Sequence, residues 1–134
     1  MDIEAAKNNL QKQLNAGATS LTLLALLHER KRPMYGYEVA KELEVRIGGE
    51  LPMKPGALYP VLRSLEKQGL LASRTEPSDA GPPRKYYRVT KAGKAVLKHW
   101  LAAWHDTKHF VDSVVENRHA KPAAGRRPKV SRTA

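Results

Sequence analysis

The spacing of apolar residues changes along this chain, and each change marks an element. From Asp2 to about Ala16, Ile3, Leu10 and Leu14 form a thin stripe that predicts a first helix. Asp2 and Glu4 stand in its first turn, where negative charge suits the helix dipole, and Gly17 is expected to close it. Thr19 or Ser20 is then expected to cap a second helix, Leu21 to about Arg30. Its Leu23, Leu24, Leu26 and Leu27 leave little polar surface, which marks a buried helix. A third helix is expected over Glu38 to about Val45, with Val39, Ala40 and Leu43 inward. A fourth begins near Pro55-Gly56, where Leu58, Val61, Leu62 and Leu65 follow the i, i+3, i+4, i+7 pattern. Pro60 fits if the first turn begins at Ala57, because the first N–H groups of a helix have no intrahelical partner. Tyr59 and Arg63 are four apart and share the opposite face.

Leu70 to Glu76 predicts a strand, Pro77 to Pro83 a stiff loop, and Arg84 to Thr90 a basic return strand. In the return strand after the Pro-rich loop the period is two: Tyr87 and Val89 alternate with Tyr86 and Arg88. Thr90 is expected to cap a long helix reaching Glu116 or Asn117. Two heptad-spaced sets run along it. One is Leu97, Leu101, Trp104, Lys108, Val111 and Val115; the other is Val96, Trp100, Ala103, Thr107, Phe110 and Val114. A stripe this wide on a helix of roughly 40 Å is more than a small helical head can cover. A partner helix from a two-fold mate is the expected cover, with Leu97, Leu101, Trp104, Val111 and Val115 as dimerisation residues.

The expected fold is therefore mainly α with a small two-stranded β-wing. Its parts are an N-terminal helix (1–18), a winged helix-turn-helix (19–90), a C-terminal dimerisation helix (91–117) and a basic, disordered tail (118–134). A recognition helix followed by a β-wing points to duplex DNA rather than to a reaction.

Composition sharpens this picture only in part. The 134 residues suit one domain, and 24 Lys and Arg against 13 acids give a formal charge of +11, which favours a polyanionic partner. Six of those cations lie in the acid-free tail, so the rest of the chain keeps only +5. The motif order must therefore carry the case for DNA. The tail either adds nonspecific attraction to phosphates or is simply solvated. Without cysteine there is no disulfide, thiolate or Cys-rich zinc chemistry. No run is long and apolar enough for a membrane span, and the acidic start lacks a signal-peptide core, so the expected compartment is the cytoplasm. No nucleophile triad, phosphate loop or carboxylate pair has useful spacing, which argues against an enzyme, and no cofactor is expected.

Three segments resemble the PadR family of bacterial transcriptional regulators. They are Tyr35-Gly36-Tyr37-Glu38, the stretch from Gly56-Ala57-Leu58-Tyr59-Pro60 to Leu65-Glu66-Lys67-Gln68-Gly69-Leu70-Leu71, and Gly81-Pro82-Pro83-Arg84-Lys85-Tyr86-Tyr87-Arg88-Val89-Thr90-Lys91-Ala92-Gly93. The resemblance covers about Leu21 to Glu116. It implies a dimeric winged-helix repressor that binds an operator and is usually released by a small molecule. The single C-terminal helix is similar to the short branch of that family. Ala57 stands where members often carry Thr, so one hydroxyl for a phosphate is missing. A winged-helix adaptor that binds protein and no operator is the alternative.

On this reading Lys54 reaches a phosphate at the entry to the recognition helix, where Gly56 and Ala57 add backbone donors. Arg63 matches guanine O6/N7, or else is a solvated surface residue. Tyr59 contacts phosphate or sugar, or packs on the preceding helix. Glu66 is expected in a salt bridge or in solvent. Arg84 and Lys85 stand at the wing tip, assisted by Arg74 and Arg88, while Tyr86 and Tyr87 are expected in the wing core. By resemblance, Trp104 and its symmetry mate sandwich a flat aromatic effector, with Trp100 one turn away; the alternative is that both tryptophans only fill the dimer core. His105 and His109 are four apart, but without a third clear ligand they read as a polar flank and no metal is expected.

Overall fold

The computed structural model describes residues 1–116, so the basic tail lies outside the described residues, as does residue 117 at the end of the expected last helix. The chain divides into two units, Met1–Leu101 and Ala102–Ala134.

Helix α1 spans Ile3–Arg30 without a break. The expected closure at Gly17 and new cap at Thr19 or Ser20 do not occur. Gly17 takes no left-handed φ, and a Cβ there would meet nothing within 4 Å. A mid-helix glycine costs only about 1 kcal/mol, and the burial of Leu23, Leu24, Leu26 and Leu27 outweighs it. Asp2 caps the N-terminus, its Oδ1 accepting from the Ala5 N–H at 3.0 Å. Lys31, at φ 58°, ends the helix.

Strand β1 (Met34–Tyr35) leads into α2 (Gly36–Ile47), longer at both ends than its apolar stripe predicts. Glu38 explains the early start, because its carboxylate accepts from the Tyr35 N–H at 3.3 Å. Gly48, at φ 67°, stops α2. A 3-10 turn (Pro55–Ala57) precedes α3 (Leu58–Lys67), which places Pro60 in the first helical turn as expected. Leu58, Leu62 and Leu65 are buried and Val61 is half-buried. The Leu70 N–H closes α3 on the Leu65 carbonyl at 2.9 Å, with Gly69 at φ 84°.

Strands β2 (Leu71–Glu76) and β3 (Arg84–Val89) pair antiparallel, from Leu71 opposite Val89 to Glu76 opposite Arg84. The sheet has three strands rather than two. Met34 pairs with Tyr87 and Tyr35 with Tyr86, giving the order β1-β3-β2. Helix α4 (Lys91–Glu116) begins as expected at Thr90, whose Oγ1 accepts from the Gly93 N–H at 3.0 Å. The same hydroxyl donates to the Gly69 carbonyl at 2.7 Å, joining the end of α3 to the start of α4.

The core of the first unit draws on all its elements: Leu23, Leu24 and Leu27 of α1, Met34, Val39, the inner face of α3, Leu71, Tyr87 and Leu97. Leu97 is only 3% exposed, so it is core and not part of an open dimerisation stripe. The stripe proper starts at Leu101. Arg30 and Arg46 both bridge to Glu42, and Arg46 also to Glu29, which ties α1 to α2.

Candidate nucleic-acid interface

The outer face of α3 and the hairpin β2–β3 border one groove. Tyr35, Tyr37, Tyr59, Arg63, Arg84 and Lys85 line it. Basic residues from two separate parts of the sequence, Arg63 and the pair Arg84-Lys85, thus meet at one concavity, flanked by tyrosines.

Each cation is held differently. Arg63 is exposed and makes no ion pair with another described residue. The Arg84 guanidinium lies 4.4 Å from the centroid of the Tyr35 ring. That ring is itself fixed, edge-on to Tyr86 at 5.3 Å and beside Tyr37 at 6.3 Å. The Lys85 ammonium lies 3.1 Å from the Glu66 carboxylate and 5.5 Å from the Tyr87 ring. Glu66 also accepts from the Ser73 hydroxyl at 2.6 Å. The Ser73 hydrogen bond, and then Lys85, hold the Glu66 carboxyl below its usual value, while Glu66 raises the Lys85 ammonium above its own. Glu66 is therefore the salt-bridged residue of the expectation.

Tyr59 is 37% exposed, and its ring lies against Gly36 at the start of α2. A Cβ on Gly36 would come within 2.2 Å of the Tyr59 Cε1, so the close approach requires glycine. Packing on the preceding helix, one of the two expected roles of Tyr59, is present.

Of the other predicted residues, Tyr87 borders this groove and the rest are not on its lining. Lys54 is exposed before the 3-10 turn, where Gly56 and Ala57 are exposed as well. Arg74 pairs with Glu76 along its own strand. Arg88 opens on a different concavity, beside Lys31, Arg32 and Lys94. Tyr87 is buried and Tyr86 half-buried, both in the sheet. Tyr35 and Tyr37 were not among the residues expected to form a site. In the sequence they flank a glycine in one of the three segments that resemble the family, which says nothing of a groove shared with Arg84, 49 residues after Tyr35.

In α4, Trp100 is half-buried against the core. Leu101, Trp104, Val111 and Val115 are each 45 to 52% exposed, and Phe110 and Val114 more so. His105 and His109 are exposed, and no cluster of three or more metal-ligating side chains occurs among the described residues. No described helix is long and apolar enough to cross a membrane.

The family model of the PadR-like transcriptional regulators matches residues 23–99, which contain α2, α3, the wing and the groove between them, with the end of α1 and the start of α4. The chain belongs to this family. The PadR-like chain is 38% identical over 78 residues to a transcriptional regulator of Mycobacterium tuberculosis, covering 58% of this chain and 69% of that one. Among solved structures it is similar to a PadR family transcriptional regulator from Eggerthella lenta, at 34% identity and a TM-score of 0.67, covering 84% of this chain and 95% of that one. A PadR-like transcription factor from Bacteroides fragilis is 31% identical with a TM-score of 0.63, covering 79% and 98%. This PadR-like protein is thus a DNA-binding transcriptional regulator and not an enzyme.

Proposed function

We propose that the protein is a dimeric repressor that binds an inverted-repeat operator and is released by a small, flat aromatic effector. The observation that carries the dimer is the open stripe Leu101, Trp104, Val111 and Val115, where four large apolar residues stand about half-exposed on one helix at heptad spacing. Two-fold pairing through that stripe presents two heads, and recognition helices roughly 34 Å apart suit one turn of duplex.

Within each head, Arg63 reads a guanine edge in the major groove. Arg84 and Lys85 engage the phosphate backbone or the minor groove from the wing. Lys54 and the exposed backbone at Gly56 and Ala57 add phosphate contacts. Arg74 and Arg88 contribute longer-range attraction. Trp104 and its symmetry mate stack on the effector; the half-burial of Trp100 leaves it mainly a packing residue.

Sedimentation velocity and a gel shift on duplexes from the protein's own locus test this reading together. A dimer that shifts a palindromic duplex, and releases it with a planar aromatic compound, is expected. A persistent monomer, or indifference to those duplexes at low salt, would refute it.

A further inference from the structure

A second cavity, of about 410 Å³, opens between α1, α2 and the loop leading to α3. Its size falls within the usual range for small-molecule sites. Its walls are largely aliphatic: Leu14 and Leu23 of α1, Leu43 and Ile47 of α2, Met53 of the loop. Its inner end reaches Leu58, the first residue of α3. The Asn15 Nδ2 donates to the Pro52 carbonyl at 3.1 Å, which pins the loop over one side.

Two polar features define what such a site would take. Thr19 lines the cavity and is only 4% exposed, yet its hydroxyl makes no hydrogen bond to another described residue. A buried hydroxyl without a partner is costly, and a ligand atom would supply the partner. Among the described residues, Arg46 is the only charged side chain on the lining, and Glu29 and Glu42 already neutralise it. An anionic ligand would find no free countercharge there.

We propose that this cavity binds a neutral, mainly apolar small molecule that hydrogen-bonds to the Thr19 hydroxyl. The lining lies within a single head and does not include Trp104. Because Leu58 and Met53 form part of its wall, an occupant bears on the entry to the recognition helix. That consequence for DNA rests on the operator-binding reading above; the binding itself does not.

The test titrates 1-octanol, a neutral aliphatic probe with one O–H group and no ring to stack on Trp104, into the full chain by calorimetry. Saturable binding of one probe per chain is expected. Ala18→Trp, on an exposed lining residue, should abolish it while circular dichroism shows the helices intact. Thr19→Val should weaken it roughly fivefold, the worth of one hydrogen bond. Trp104→Ala should leave it unchanged. Binding that survives Ala18→Trp, or is lost with Trp104→Ala, would overturn the proposal. So would a wild-type dimer that binds no probe and falls apart on Ala18→Trp, which would show that a second copy fills the cavity. Probe should also shift duplex affinity severalfold, and not in Ala18→Trp; no shift in a protein that binds both would overturn the coupling. Probe binding without any duplex binding would support the cavity while refuting the operator reading.

Discussion

The Lys85 ammonium of the wing lies 3.1 Å from the Glu66 carboxylate of α3. This contact clasps the two sides of the basic groove and also spends one of its positive charges on an internal partner. Removing Glu66 should therefore do two opposite things.

Glu66→Gln should free Lys85 for phosphate. Its duplex affinity at low salt is expected to rise, and the salt dependence to steepen by up to about one unit. A fluorescence-anisotropy titration at several salt concentrations measures both. An unchanged slope would mean that Lys85 makes no phosphate contact even when released.

The clasp also has a pH signature. A carboxyl held below its usual value adds stability that is fully present above about pH 4.3 and is lost as the pH falls through the lowered value. Thermal melts of the wild type should show this acid loss, and Glu66→Gln should lack that component. Equal acid sensitivity of the two proteins would assign the loss to other groups.

Arg63 and Arg84 should fail differently. Arg63→Ala is expected to cost about 1 to 3 kcal/mol on the cognate operator and to relax preference at one position per half-site. Arg84→Ala should weaken all duplexes alike and flatten the salt slope by about one unit. Titrations across mutated operators at two salt concentrations separate these outcomes, and equal losses from both variants would refute the division.

Two glycines should respond to alanine with opposite signs. A Cβ on Gly93 would lie 2.2 Å from the Leu70 carbonyl oxygen, a backbone atom that cannot swing away. Gly93→Ala is expected to destabilise by about 1 to 3 kcal/mol. Gly17 sits mid-helix with nothing within 4 Å of its would-be Cβ, so Gly17→Ala should stabilise by about 0.5 to 1 kcal/mol. Urea denaturation of both variants provides the check.

The exposed stripe on α4 makes the last prediction. Val111→Asp together with Val115→Asp places two charges on the proposed seam and should yield monomers by sedimentation, with helix content in the head retained. Operator binding should then fall by orders of magnitude, since each head would bind alone.

What the chain's order alone determined was local. The 3.6-residue stripe on α3, the alternation in β3 and the Thr90 cap each depend on residues within a turn or two. These features were enough to order the helices and wing, and the family resemblance followed from the same residues. Tertiary structure decided whatever depends on neighbours distant in sequence. A two-residue strand such as β1 carries no periodicity, and exists because Tyr87 pairs with Met34. Gly17 has the chemistry of a helix stop, but a stop needs a left-handed turn, and packing of the leucines beyond it holds the helix straight through. Leu97 shares a heptad set with Val111 and Val115, yet the core claims it, because periodicity gives a face and not what covers that face. The groove itself, with Tyr35 under Arg84 and Lys85 against Glu66, was invisible in the linear pattern, since side chains 19 to 49 residues apart meet only when the sheet and α3 pack.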